Sequence, residues 1–124
     1  PIQMGKIVET AVYKHVAAFY YRYVTSIGYF RGGTKNKEVD IVIDYPMAKK
    51  ILIEVKYREN TTISDDDAVS VLADEASAAI VITKTANDLG LQMTKTRAIL
   101  LRIPAFAFLY LLGNAERHGY HYIS

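Results

Sequence analysis

Two acids and a lysine interrupt a pair of apolar runs in KEVDIVIDYPMAKKILIEVKYREN, residues 37–60. Strand side chains alternate faces. In 50–57, Leu52, Glu54 and Lys56 therefore share one face, and Ile51, Ile53 and Val55 the other. In 38–45, Asp40, Val42 and Asp44 fall opposite Val39, Ile41 and Ile43. Pairing of the two strands would gather Asp40, Glu54 and Lys56 into one polar patch. Asp44 lies on the order of 13 Å along the strand from Asp40 and drops out as a strand-end surface residue. Two carboxylates held together repel, and a hard cation such as Mg2+ or Mn2+ satisfies them with oxygen ligands while keeping water for chemistry. An ammonium beside that ion orients a water or meets the negative charge of a transition state. That combination suits phosphodiester hydrolysis. The plain alternative is a half-solvated strand face with cross-strand ion pairs.

The elements that must hold these residues follow from periodicity and punctuation. Residues 4–24 carry Val8, Val12, Val16, Phe19 and Tyr23 at helical spacing, with Glu9 on the flank of that stripe and Gly28 closing the segment. GYFRGG then reads as a short strand and a glycine turn, followed by strands at 38–45 and 50–57 on short connections. An antiparallel meander results. Ser64 reads as an N-cap, with Asp65, Asp66 and Asp67 in the first turn of a helix over 65–77. AAIVIT (78–83) is a buried strand reached across that helix, which implies parallel pairing. AILLRI (98–103) is the next strand, and Pro104 opens a helix that Gly113 ends. The expected fold is one α/β domain over 1–124, in the order α-β-β-β-α-β-β-α, with a central mixed sheet flanked by helices.

The 124 residues suit one domain with a real core, and the absence of cysteine excludes disulfides, thiolate zinc sites and cysteine nucleophiles. A cytoplasmic location is the default that follows. The longest apolar run, IPAFAFLYLL at 103–112, is about half of the ~20 residues a membrane span needs. It is apolar nearly all round, so Phe106, Phe108, Leu109 and Leu112 point to a homodimer contact or a neighbouring domain. Net charge is only +2, but residues 31–58 hold seven Lys/Arg against four acids. A locally basic face suits a polyanion, and plain solubility accounts for it equally well. Arg58 and the 31–37 loop, with Arg31, Lys35 and Lys37, flank the acids and are the expected phosphate contacts.

Several of these segments carry a resemblance. VD opening one strand and IEVK in the next resemble the D…(D/E)-x-K signature of the PD-(D/E)XK, or restriction-endonuclease-like, phosphodiesterases. GKIVETAVYKHV, YFRGGTKNKEVDIVI and ILIEVKY together are similar to the C-terminal, nuclease-like domain of AAA+ ATPases whose C-terminal domain is of unknown function. The resemblance implies a restriction-endonuclease-like fold and a nuclease acting on nucleic acid, DNA first. It implies metal-binding roles for Asp40 and Glu54, a catalytic role for Lys56, and a further metal-site acid in Glu9. The backbone carbonyl of Val55 would be another ligand. Val39 departs from the pattern, standing where its name has proline.

The resemblance also makes this piece, which begins at Pro1, the C-terminal part of a chain with an ATPase domain ahead of it. No GxxxxGK[ST] loop occurs here, so these residues alone should not bind ATP. A nuclease-like fold used only for interaction, oligomerisation or nucleic-acid binding remains the second reading. His118 and His121 read as a chain-end pair lacking a third ligand, His15 as structural, and FYYRY (19–23) as core packing.

Overall fold

The computed structural model describes residues 2–20, 26–31, 38–44, 49–58 and 62–117. Helix α1 (Ile2–Tyr20) is followed by β1 (Ser26–Arg31), β2 (Glu38–Asp44) and β3 (Ile51–Val55). Next come α2 (Ala68–Leu72), extended by a 3₁₀ turn at Ala73–Glu75, and β4 (Ala78–Thr83). A second 3₁₀ turn at Ala86–Asp88 leads into β5 (Gly90–Met93), β6 (Ile99–Pro104) and α3 (Ala105–Arg117). The six strands form one sheet in the order β1-β2-β3-β4-β6-β5. β1, β2 and β3 make the antiparallel meander; β3, β4 and β6 are parallel; β5 returns antiparallel to β6. The fold is α/β, with a mixed sheet flanked by helices.

Each face of the sheet has its own core. Val12 and Val16 of α1 and Ala105 and Leu112 of α3 pack on Ile41, Ile43, Ile51, Ile53, Ile82 and Ile103. The opposite face buries Val42, Leu52, Val81 and Leu100 under Ala68 and Val69 of α2, with Ile63. Continuous β-branched runs are what a strand covered on both faces requires. β3 and β4 are therefore fixed from both sides, and the one acid of β3, Glu54, stands near its C-terminal end.

Five local expectations are corrected. The sheet has a strand between the two expected last ones: GLQM was passed over because it is four residues long and turns Leu91 (71% exposed) and Met93 (66%) outward, inverting the usual polarity. The helix expected over 65–77 begins only at Ala68 and passes into the 3₁₀ turn at Ala73–Glu75. Asp67 is its N-cap residue without a side-chain cap bond, because Asp65 and Asp67 spend their carboxylates on the N–H groups of Lys95 (3.2 Å) and Ser64 (3.0 Å). Gly28 lies inside β1, paired with Val42. Pro104 ends β6, where its missing N–H costs nothing at the last rung, and α3 passes through Gly113 to Arg117. Tyr57 and Lys56 follow β3 rather than lying within it.

The expected contact surface on α3 changes as well. Leu112 is buried, and Phe108 and Leu109 pack against the same core, so the helix buries its Ala105, Phe108, Leu109 and Leu112 stripe. The outward apolar residues are Phe106, Tyr110 and Leu111. Among the described residues no helix is long and apolar enough to cross a membrane. Phe19's side chain, Tyr23 and residues 118–124 lie outside those described.

Thr83 is fully buried at the end of β4, and its hydroxyl has no hydrogen-bond partner among the described residues. Desolvating an unpaired hydroxyl opposes folding by about 1–2 kcal/mol. Thr83→Val keeps the shape and should raise the unfolding free energy in urea by about 1 kcal/mol. A drop in stability would mean that the hydroxyl is bonded.

Candidate active site

β2 does not run straight past β1. From Gly28 to Phe30 is two residues, whereas their partners Val42 and Val39 are three apart, so β2 carries an extra residue around Asp40 and Ile41. Such a bulge switches the side-chain alternation and re-aims the residues at it. Val39 accordingly joins Val42 on the α2 side, while Ile41 and Ile43 face α1 and α3. The single face expected for Asp40, Val42 and Asp44 is thereby broken.

The bulge ends the regular β2–β3 ladder, which runs only from Ile41–Ile53 to Ile43–Ile51. Two carboxylates take over where it stops. Asp40 Oδ2 accepts the N–H of Val55 at 2.8 Å, and Glu54 Oε1 accepts the N–H of Asp40 at 3.1 Å. Each acid thus satisfies a main-chain donor that a straight strand would have paired. N–H and C=O of one strand residue point the same way, so the carbonyl of Val55 also faces the Asp40 side.

Glu9 reaches the pair from α1, between Val8 and Val12, and its carboxyl comes close enough to that of Asp40 to have its pKa raised by it. Lys6 Nζ lies 3.3 Å from Glu9 at the surface. Lys56 Nζ lies 3.5 Å from Glu54 Oε2, both side chains largely covered. The structure therefore brings Glu9, Asp40, Glu54 and Lys56 together. Asp44 pairs instead with Lys50 (3.8 Å), as a strand-end residue. Arg58 is exposed just past β3. Lys35 and Lys37 lie outside the described residues, as does the side chain of Arg31.

Burial dominates the electrostatics. It pushes the Asp40 carboxyl up to about 6, helped by the negative charge of Glu54 and opposed by the N–H of Val55. Burial also raises Glu54, against hydrogen bonding from Asp40 and the charge of Lys56. Glu9 is raised by burial and by its contact with Asp40, with Lys6 opposing. Three carboxylates stand here against two ammoniums, the exposed Lys6 and the largely covered Lys56.

An all-oxygen donor set of this kind matches a hard divalent cation in type and charge. In arrangement the carboxylates turn toward one another and toward main-chain N–H groups. Among the described residues no group of three or more His, Cys, Asp or Glu side chains is disposed to hold a metal ion. Binding one requires the acids to turn from the main-chain N–H groups of Asp40 and Val55.

Other polar groups have local explanations. His15 Nδ1 meets the carbonyl of Ala11 at 2.8 Å, which fits its structural role. An open groove of about 450 Å3 runs along Lys6, Ile7, Thr10, Ala11, Lys14 and His15 on α1; Asp40, Glu54 and Lys56 do not line it. Sequence reasoning missed two features. Arg102 ties the end of the sheet together, with Nη2 3.0 Å from Asp88 and Nη1 donating to Gln92 at 2.8 Å. Lys84 Nζ stands 5.7 Å from the centre of the Tyr57 ring. The only trace of the latter in the sequence is a lysine directly after AAIVIT.

The raised carboxyls set the pH dependence of the metal-free protein. A carboxyl that holds its proton more tightly folded than unfolded contributes stability below its ordinary value near 4. That contribution is lost as pH rises through about 6, the folded value for Asp40. In chelator, stability should therefore fall between pH 5 and 7.5. Asp40→Asn keeps an oxygen for Val55 and removes the charge. It should flatten that slope and stabilise the protein at pH 7.5 by about 1–2 kcal/mol, the linkage value reduced for residual solvent contact. Urea unfolding across the range checks it; an unchanged slope overturns the assignment.

Comparison with known proteins adds one result. No curated protein and no solved structure matches. A family profile described as Domain of unknown function (DUF4143) matches residues 4–106, a span that includes Glu9, Asp40, Glu54 and Lys56. That family is often found at the C-terminus of AAA-type ATPases. The match covers most of the sequence, and the chain belongs to the DUF4143 family.

Proposed function

We propose that this domain is a Mg2+- or Mn2+-dependent phosphodiesterase of the PD-(D/E)XK kind, acting on nucleic acid, DNA first. The observation that carries the reading is the meeting of Glu9, Asp40 and Glu54 at a bulged strand end, with Lys56 beside them. A structural ion-pair network has no need of a surplus of half-buried carboxylates. A site that receives a cation does.

On this reading Glu9, Asp40, Glu54 and the carbonyl of Val55 would hold the ion once the acids turn toward it. When bound, it supplies a water of lowered pKa and a positive charge for the phosphate oxygens. Lys56 orients the attacking water and faces the charge that develops on the phosphoryl oxygens. The water oxygen forms the new phosphorus–oxygen bond, the bond to the leaving sugar oxygen breaks, and that oxygen takes up a proton. Arg31, Lys35, Lys37 and Arg58 are the proposed phosphate contacts along the strand. The ATPase module proposed ahead of this piece would act on the same substrate, in the cytoplasm.

A second reading draws on the surface. Phe106, Tyr110 and Leu111 of α3, with Leu91, Met93 and Ile99 of β5 and β6, are exposed apolar side chains. They favour an interaction or dimerisation role for the same fold, which is compatible with catalysis.

Labelled single-stranded, duplex and branched DNA, and RNA, incubated in Mg2+ or Mn2+ with the wild type, Asp40→Ala and Lys56→Ala, test the first reading. Metal-dependent cleavage should fall by about 10²-fold or more in both variants. Cleavage that survives both substitutions, or wild-type protein that cuts none of the substrates, overturns it.

A further inference from the structure

The geometry points to Lys84, steered by the ring of Tyr57, as a phosphate-binding cation for a single polynucleotide strand entering the acid site. This inference rests on the phosphodiesterase reading and adds to it a residue outside the acid-lysine set.

Three observations carry it. The first is position. β3 and β4 stay together one residue beyond Val55, because the N–H of Lys56 donates to the carbonyl of Ile82 at 2.8 Å. Tyr57 on one strand and Lys84 on the other thus leave the sheet side by side, at the carboxyl ends of parallel strands. Crevices at such ends are where open α/β sheets place their ligands.

The second is the face. Tyr57 packs with Val55, Ile80 and Ile82 against the core under α1 and α3. Lys84 continues the Ile80–Ile82 alternation and projects over the ring on that side. Glu9 comes from α1 on the same side, and Asp40 meets it there. The strand registers set Asp40 across from Glu54 and Val81, so two strand spacings and a three-residue rise put the backbone of Lys84 on the order of 14 Å from that of Asp40, and its long side chain shortens the gap. A strand whose scissile phosphate sits at the acids would bring a neighbouring phosphate to that position.

The third is charge. Lys6, Lys50 and Lys56 each face a carboxylate, at 3.3, 3.8 and 3.5 Å. Lys84 faces an uncharged ring and is exposed. A ring attracts an ammonium without neutralising it, and so restricts the side chain while leaving its charge for an anion. The acid cluster repels a polyanion, so a cation at its rim is what approach of a phosphate backbone requires.

The test uses binding, not cleavage, as its readout. Fluorescence anisotropy of a labelled single-stranded oligonucleotide in Ca2+, titrated over salt, gives affinity and the number of phosphates neutralised. Lys84→Ala should weaken binding about three- to tenfold and lower the slope of log K against log salt by about 0.7, one phosphate on a single strand. Lys84→Arg should keep both. Tyr57→Phe, which retains the ring, should bind like the wild type. Tyr57→Leu should lose affinity non-additively with Lys84→Ala, with thermal unfolding confirming that each variant is folded. An unchanged salt slope in Lys84→Ala overturns the assignment even if the wild type cleaves DNA. A lowered slope with no cleavage by the wild type upholds the phosphate contact and removes the phosphodiesterase reading. A wild type without affinity for the strand removes both.

Discussion

The exchange between Asp40 and Glu54 holds this domain in its form. A β2 bulge leaves main-chain donors at Asp40 and Val55 without ladder partners, and unpaired buried N–H groups are costly. Each is satisfied by the other strand's carboxylate, at 3.1 and 2.8 Å. The acids are therefore structural members of the sheet as well as candidates for chemistry. Two charges normally avoided in a strand are tolerated because each does the work of a missing carbonyl.

The rest of the fold makes that exchange rigid. β3 is antiparallel to β2 and parallel to β4, so it is the seam between the meander and the parallel half of the sheet. Its apolar residues are buried in two cores: Ile51 and Ile53 against α1 and α3, Leu52 against the α2 side. α1 is fixed by Val12 and Val16 in the first of these cores, and that docking sets where Glu9 lies. Tyr13 adds a bond from its hydroxyl to the carbonyl of Ile27 at 3.2 Å, tying α1 to β1. Functional side chains carried on helices and strands pinned this way keep their relative placement, which loops could not guarantee.

Much of this was legible in the sequence, because the relevant signals are local. β-branched runs gave β2, β3 and β4, the helical stripe of Val8, Val12 and Val16 gave α1, and the charges within the runs singled out Asp40, Glu54 and Lys56. What was not legible depends on tertiary context. The bulge has no clear sequence mark of its own: EVDIVID alternates up to Ile41 and then runs apolar through Ile43, and only pairing with β1 reveals the extra residue. β5 escaped because its apolar residues face outward. The 65–77 helix was overdrawn because carboxylates at a helix start also suit a turn. Lys84 and Tyr57 are 27 positions apart and meet only through parallel pairing.

The electrostatic consequence reaches beyond the site. A stable fold usually leaves carboxylates ionised, paired and near their ordinary titration range. Here Asp40, Glu9 and Glu54 are all raised, chiefly by burial, with Lys56 beside Glu54 and Lys6 beside Glu9 opposing the shift. Proteins retain such strain where removing it would remove a capability. On the phosphodiesterase reading the same surplus of negative charge attracts a divalent cation and repels a nucleic acid backbone, so the cation has to be in place before the phosphate can approach. On that reading charge alone would order the assembly, because only a site neutralised by a cation would admit a phosphate backbone.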